Sequence, residues 1–320
     1  MALSEFEIIR RYFSHPARNA VLGVGDDAAI VRARRGMELV ITTDMLVAGR
    51  HFSREADPRK LGHKSLAVNL SDMAAMGATP RWATLALSLP RADARWLAAF
   101  SRGFMDLARR HDVDLVGGDT TRGPLNICVQ VIGEVPRGRA LRRDGARAGD
   151  DVWVSGTLGD AALALAAGRL AMAARDRRAL RSKLDAPEPR IALGIALRGI
   201  ARSAIDVSDG LIADLGHICE RSRVAAVVEF ARIPASAAMT RRLNRPAARA
   251  ALLAGGDDYE LVFTSARARR AAIDRLARRL RLKLTRLGRI TRRRAGVPPV
   301  TVRDAAGRPV TVAQGGSRHF

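Results

Sequence analysis

Two adjacent aspartates framed by glycines, Asp26 and Asp27 in GVGDDAAI, stand inside an apolar run of a chain with 55 Lys and Arg against 32 Asp and Glu. Side-by-side carboxylates repel each other and resist desolvation, so the pair calls for a positive partner. The same placement, an aspartate ending an apolar run or lying beside glycine, recurs along the chain. It is found at Asp44 in VITTDML, Asp72 in AVNLSDMAAMGA, Asp119 in LVGGDTTRG, Asp206 and Asp209 in SAIDVSDGL, and Asp257 and Asp258 in AGGDDYEL. Alone, each reads as a turn residue or a helix N-cap. Together they read as ligands, because caps do not require an aspartate at the tip of nearly every buried strand, where α/β domains bind their ligands. Oxygen-rich, sulfur-free and largely histidine-free clusters suit Mg2+, which is held through carboxylates together with phosphate oxygens. The chemistry they point to is a hard cation brought in for a polyphosphate.

Other phosphate and catalytic signatures are missing. Gly23-Val24-Gly25-Asp26-Asp27-Ala28 matches G-x-G-x-x-A formally, but a dinucleotide turn offers bare backbone amides to pyrophosphate. Here two carboxylates would face it, and the residues that follow read as extended chain. The sequence contains no G-x-x-x-x-G-K-[ST], no H-R-D or D-F-G pair, no H-E-x-x-H and no C-x-x-C.

The elements that must position these aspartates alternate between strand and helix, which gives an α/β or α+β class. A capping box, Ser4 with Glu7, opens the first helix. MELVITTD (37–44) reads as a strand, Asp57-Pro58 starts a helix that stops at Gly77, and RWATLALSL (81–89) is a strand. An amphipathic helix precedes strands at 113–118 and 125–135. The basic, Gly-rich PRGRALRRDGARAGD (136–150) is the expected boundary between domains 1–137 and 138–320. The alternation then resumes, with strands at DVWVSG, SAIDVSD, AAVVEF and YELVFTS and terminal strands around 282–312.

Composition narrows the function classes. The chain has 320 residues, 48% hydrophobic and 27% charged, as in globular proteins. No apolar run reaches the roughly 18 residues of a membrane helix, and the N-terminus has no signal-peptide pattern. Cys128 and Cys219, both in apolar elements, read as free thiols, and the expected location is the cytoplasm. The net charge of +23 suggests a nucleic-acid partner, but aromatics make up only 4% and the arginines are interleaved with alanine and leucine on helical faces. The expectation is no specific nucleic acid and no membrane.

In order and spacing, GVGDDAAI, TTDMLVAGRHF, KSLAVNLSDMAAMGATP, GGDTTRGP, SAIDVSDGLIADL and GGDDYELVF resemble the thiamine-monophosphate kinases. That family belongs to a superfamily with aminoimidazole ribonucleotide synthetase and selenophosphate synthetase. The resemblance runs over essentially the whole chain. It implies two related α/β domains, the N-terminal one pairing with a second copy into a homodimer through a shared β-barrel. It also implies transfer of the γ-phosphoryl of ATP to thiamine monophosphate with several Mg2+ ions and no nucleophile or general base. Such a transfer needs positioning and charge neutralisation.

By this resemblance Asp27, Thr42, Thr43, Asp44, Asp72, Asp119, Asp206 and Asp209 are metal ligands. Gly118, Asp119, Arg143 and Ser208 contact ATP, and His51, Asp257 and Ser317 lie at substrate positions. Asp257 stands where the family usually has Glu, one methylene longer, and Ser317 where it often has an aromatic residue. Two alternatives remain open at this stage: another ATP-using superfamily member, such as a formylglycinamidine cyclase, and a basic nucleic-acid-binding protein whose aspartates are only caps.

Overall fold

The computed structural model describes residues 4–166 and 172–310. The chain divides into two compact units, Met1–Met73 with Ala78–Gly138, and Ala74–Gly77 with Arg139–Phe320. The change at Gly138 falls within the basic, Gly-rich segment.

In the first unit the capping box forms as expected: Ser4 N–H donates to Glu7 Oε2 at 2.8 Å and Glu7 N–H to Ser4 Oγ at 3.4 Å. It opens α1 (Glu5–Ile8), which continues into one π-turn. The short strands β1 (Ala20–Leu22) and β2 (Ile30–Val31) pair antiparallel. Then come β3 (Met37–Val47), α2 (Pro58–Ala75), β4 (Thr79–Leu89), α3 (Ala94–Arg110), β5 (Asp114–Arg122) and β6 (Asn126–Pro136). The four long strands form one open sheet in the order β3-β6-β4-β5, with β4 and β5 parallel and the other pairs antiparallel.

The signals around α2 act as expected. Asp57 Oδ1 accepts Lys60 N–H at 3.0 Å, Pro58 sits at the first helical position, and Gly77 takes φ +63° just past the end. Helix α2 is buried along most of its length, down to Asn69 and Ser71 at 0% exposure. Its approach to α3 depends on two glycines. A Cβ on Gly62 would lie 2.0 Å from the Phe100 carbonyl oxygen, and one on Gly103 would lie 1.8 Å from that of Arg59.

Two strands run further than the sequence suggests. β3 continues three residues past Asp44, and β5 continues through Gly117-Gly118-Asp119 to Arg122. Asp44 and Asp119 therefore lie within strands instead of at their tips, while Asp72 is on α2. Only Asp206 ends a strand. Among the described residues the sheet does not close into a barrel.

The second unit contains β7 (Asp151–Ser155), α4 (Asp160–Ala166), α5 (Ala174–Asp185), α6 (Ile191–Leu197), β8 (Ser203–Asp206), α7 (Leu211–Arg221) and β9 (Val224–Glu229). It continues with α8 (Ala237–Thr240), α9 (Pro246–Ala254), β10 (Leu261–Ser265), α10 (Arg270–Leu280), β11 (Leu284–Arg292) and β12 (Val300–Arg303). Its sheet has the order β12-β9-β11-β7-β10-β8, and only β12 and β9 are parallel. One face carries Val152, Val154, Ala226, Val228, Leu287 and Ile290 into the core beneath α4, α7 and α9. Both sheets are predominantly antiparallel, so the class is α+β. Both cysteines are free, Cys219 buried and Cys128 half-buried.

Candidate functional site

In the first unit, alternation along β3 turns Thr42 and Asp44 inward and Thr43 outward. Thr42 Oγ1 donates to Asp72 Oδ2 on α2 at 2.5 Å, and Gln130 Nε2 donates to Thr43 Oγ1 at 3.2 Å. Burial, reinforced by the charge of Asp72, pushes the Asp44 carboxyl up to about 7. On the neighbouring strand the Cys128 thiol is raised by its own partial burial, with the charge of Asp44 adding to it. Asn69, one helical turn before Asp72, has a buried Oδ1 with no hydrogen-bond partner. Two neighbouring carboxylates, together with an unpaired amide oxygen, form an all-oxygen donor set that fits a hard cation. At the end of β3, His51 Nδ1 accepts Val47 N–H at 3.0 Å, which leaves the proton of the neutral ring on Nε2.

A cavity of about 540 Å³ brings together Asp26, Asp27, Gly118 and Asp119 under the apolar side chains of Phe6 and Phe13. Two motifs about 90 residues apart thus line one space. Gly118 is required there: its φ is +150°, and a Cβ would lie 1.9 Å from the Leu85 carbonyl oxygen. The strand register separates Asp44 from Asp119. Asp119 pairs with Ala86, Ala86 with Cys128, and Cys128 with Met45, so Asp119 shares the outward face with Met45. Asp44 faces inward on the opposite edge strand. Among the described residues no three His, Cys, Asp or Glu side chains close into a metal-binding group.

In the second unit, Asp206 ends β8, and Val207 to Gly210 lead into α7. This connection is clasped by the loop before β10. Asp257 N–H donates to the Ser208 carbonyl at 2.9 Å, Tyr259 N–H to that of Val207 at 2.9 Å, and Val207 N–H to that of Glu260 at 2.8 Å. A Cβ on Gly256 would lie 2.1 Å from the Ser208 carbonyl oxygen. Asp257 and Tyr259 hold φ of +67° and +52°, a conformation that costs non-glycine residues energy and concentrates at functional sites. Tyr259 Oη donates to Asp257 Oδ1 at 2.8 Å.

Asp214, which the sequence reading passed over, belongs to this group. Its Oδ2 accepts the N–H groups of Asp209 at 3.1 Å and Gly210 at 2.9 Å. Burial and the charge of Asp209 push its carboxyl up to about 7, opposed by those two hydrogen bonds and by Arg143. Ser208, Asp209, Asp257, Asp214 and the charge of Arg143 are therefore gathered at the start of α7. An acidic residue in the first turn of a helix was the available signal. Ser317 lies outside the described residues.

Comparisons with known proteins identify the relatives of the chain. A profile described as AIR synthase related protein, N-terminal domain, matches residues 25–135, which places the first unit in the AIR-synthase-related class. Over its full length the chain is 46% identical to the thiamine-monophosphate kinase of Escherichia coli strain K12, covering 99% of that protein. It superposes on the crystal structure of the thiamine-monophosphate kinase of Stenotrophomonas maltophilia K279a with a TM-score of 0.84 at 50% identity, covering 94% of this chain and 97% of that one. A structure described as AaThiL complexed with AMPPCP and TMP matches at 32% identity and TM-score 0.77, covering 93% and 92%. The chain belongs to the thiamine-monophosphate kinase family.

Proposed function

We propose that this protein transfers the γ-phosphoryl group of ATP to the phosphate of thiamine monophosphate, giving thiamine diphosphate and ADP. The observation that carries this reading is the cavity of the first unit, where the Asp26-Asp27 and Gly118-Asp119 segments meet. Relatives aligned along the whole chain act as thiamine-monophosphate kinases, and one related structure holds AMPPCP and TMP. In the reaction an acceptor phosphate oxygen bonds to the γ-phosphorus as its bond to the β-phosphate oxygen breaks, so no covalent intermediate with the chain is needed.

In this reading Asp27, Thr42, Thr43, Asp44, Asp72 and Asp119 of the first unit, and Asp206 and Asp209 of the second, hold Mg2+. When bound, the ions neutralise the phosphate oxygens and the charge that develops on them. Asp72 keeps Thr42 oriented through their hydrogen bond, and the N–H groups of Asp209 and Gly210 hold Asp214 in place. Gly118, Ser208 and Arg143 contact ATP, with the Arg143 guanidinium gripping phosphate in bidentate fashion. His51 and Asp257 contact the substrate, His51 with its proton on Nε2. Ser317 takes the remaining substrate position.

The outward face of β3 supports a homodimer, with the sheets of two copies sharing a barrel. Leu39, Ile41 and Met45 are 46%, 60% and 57% exposed along an unpaired edge strand, an apolar stripe that a second copy would cover. Two free thiols fit the cytoplasm, and no described helix is long and apolar enough to cross a membrane.

Purified protein incubated with ATP, Mg2+ and thiamine monophosphate should form thiamine diphosphate, read by chromatography after oxidation to a fluorescent product. No product with either Mg2+ or Mn2+ overturns the reading. Light scattering of the eluting protein checks the dimer.

A further inference from the structure

The arginines of the second unit are not spread evenly over its surface. On the sheet face opposite the core, Arg289 of β11 pairs with Asp151 on one side and Val227 on the other, while Arg303 of β12 pairs with Glu229. Directly paired residues share a face, as do residues two apart on one strand, so Arg289 and Arg303 point to the same side across β9. They are separated by two strand spacings across and two residues along, about 12 Å in all, a gap that two arginine side chains can bridge.

A bulge adds a further arginine. Arg286 pairs with Trp153 and Gly288 with Val152, leaving Leu287 as the extra residue. Arg286 and Arg289, an odd number of residues apart, would otherwise face opposite ways; the bulge puts both on this side. From above comes the start of α10, with Arg267 in the turn before it and Arg270 at its first residue. This helix N-terminus has no side-chain cap and no acidic residue in its first turn. Positive side chains at the positive end of a helix are unfavourable unless an anion joins them.

Between the helix start and the sheet lies a cavity of about 430 Å³. Its carboxylates are already paired: Asp151 with Arg270 at 2.6 Å, Glu229 with Arg232 at 2.5 Å, and Asp304 with Arg308 at 3.0 Å. Arg267, Arg289 and Arg303 have no carboxylate within ion-pair distance among the described residues. The cavity lies toward the β12 edge of the sheet, whereas Ser208 and Asp209 follow β8 at the other edge.

We propose that this pocket is a second anion site, built for a small ligand with two or more phosphate groups. Three guanidiniums with no carboxylate partner, of which Arg303 donates only to the Gly307 carbonyl at 2.9 Å, match several phosphate charges better than one carboxylate. The lining has no aromatic ring on which a nucleobase could stack. The ligand class is therefore a free oligophosphate or a bisphosphorylated small molecule. The site is independent of the kinase reading, since a chain that made no thiamine diphosphate would still carry it.

The test is calorimetric titration of pyrophosphate into the full chain in the presence of saturating AMPPCP, which occupies any nucleotide site. One pyrophosphate per chain is expected. Arg267→Gln combined with Arg289→Gln should weaken binding at least about tenfold. Arg278→Gln combined with Arg279→Gln, the same charge loss at the exposed far end of α10, should leave it unchanged. Equal weakening in both double variants, or in neither, overturns the proposal. So does displacement of pyrophosphate by single-stranded DNA at equal phosphate concentration, which would make the pocket part of an extended nucleic-acid track.

Discussion

Thr42 Oγ1 donates to Asp72 Oδ2 at 2.5 Å, tying the inner face of β3 to the buried helix α2. The bond fixes one carboxylate of a pair whose other member, Asp44, has burial and Asp72 itself working against its ionisation. The first unit thus brings two like charges together in a largely buried place.

Asp44→Asn or Asp72→Asn should therefore abolish thiamine diphosphate formation, each removing a charge proposed to hold metal. The metal-free variants should melt at or above the wild-type temperature, because a like-charge contact is relieved. Near-wild-type product formation with Mg2+ in either variant would refute the metal assignment.

The same burial sets a pH dependence. Asp44 and Asp214 are both pushed up to about 7, well above the ordinary aspartate range, so between about pH 4 and 7 the folded chain binds more protons than the unfolded one. Each contributes stability that is present in acid and lost as pH rises through 7, roughly a few kcal/mol at most. Denaturant midpoints of wild type and Asp44→Asn, both without metal, isolate the first contribution. The variant's advantage should be larger at pH 8 than at pH 5, and an equal gap at both would show that Asp44 titrates normally.

Mg2+ and AMPPCP added together should raise the melting temperature by more than the sum of their separate effects. Ions held between protein carboxylates and phosphate oxygens make each ligand complete the other's site. A nucleotide shift indifferent to Mg2+ would exclude such bridging.

Gly156→Ala should destabilise the second unit by roughly 2–4 kcal/mol. Gly156 holds φ +60°, and a Cβ there would lie 2.0 Å from Glu260 Oε1. That carboxylate has little room to move: it is 3% exposed, Arg190 Nε donates to its Oε2 at 2.7 Å, and Ser155 Oγ donates to the same oxygen at 2.5 Å. A melting temperature within a degree or two of wild type would mean the network yields easily.

Local signals carried much of the fold. Ser4 with Glu7, Asp57-Pro58 and Gly77 act within one turn of themselves, so their effects can be read from neighbouring residues. The aspartate segments were legible for the same reason. What could not be read depends on distant partners. β3 and β5 run past their apolar stretches because neighbouring strands continue to pair with them. The face that Asp119 takes follows from an extra residue, Val116, between the Leu115 and Gly117 pairings. Asp214 looks like an ordinary helix-surface acid until the fold turns its carboxylate back onto Asp209 and Gly210. The left-handed backbone at Asp257 and Tyr259 has no local signature, because neither residue is glycine.

Gly62 and Gly103, where α2 and α3 nearly touch, bear on how kinship would be read in this unit. Neither has a side chain to react or bind, yet any replacement would drive a methyl group into a neighbouring backbone carbonyl. Drift at these two positions is blocked as firmly as at a ligand. A survey that ranks columns by invariance would return them beside Asp44 and Asp72. Telling the two kinds apart takes distances, because the aspartates are proposed to act through their chemistry and the glycines through the room they leave.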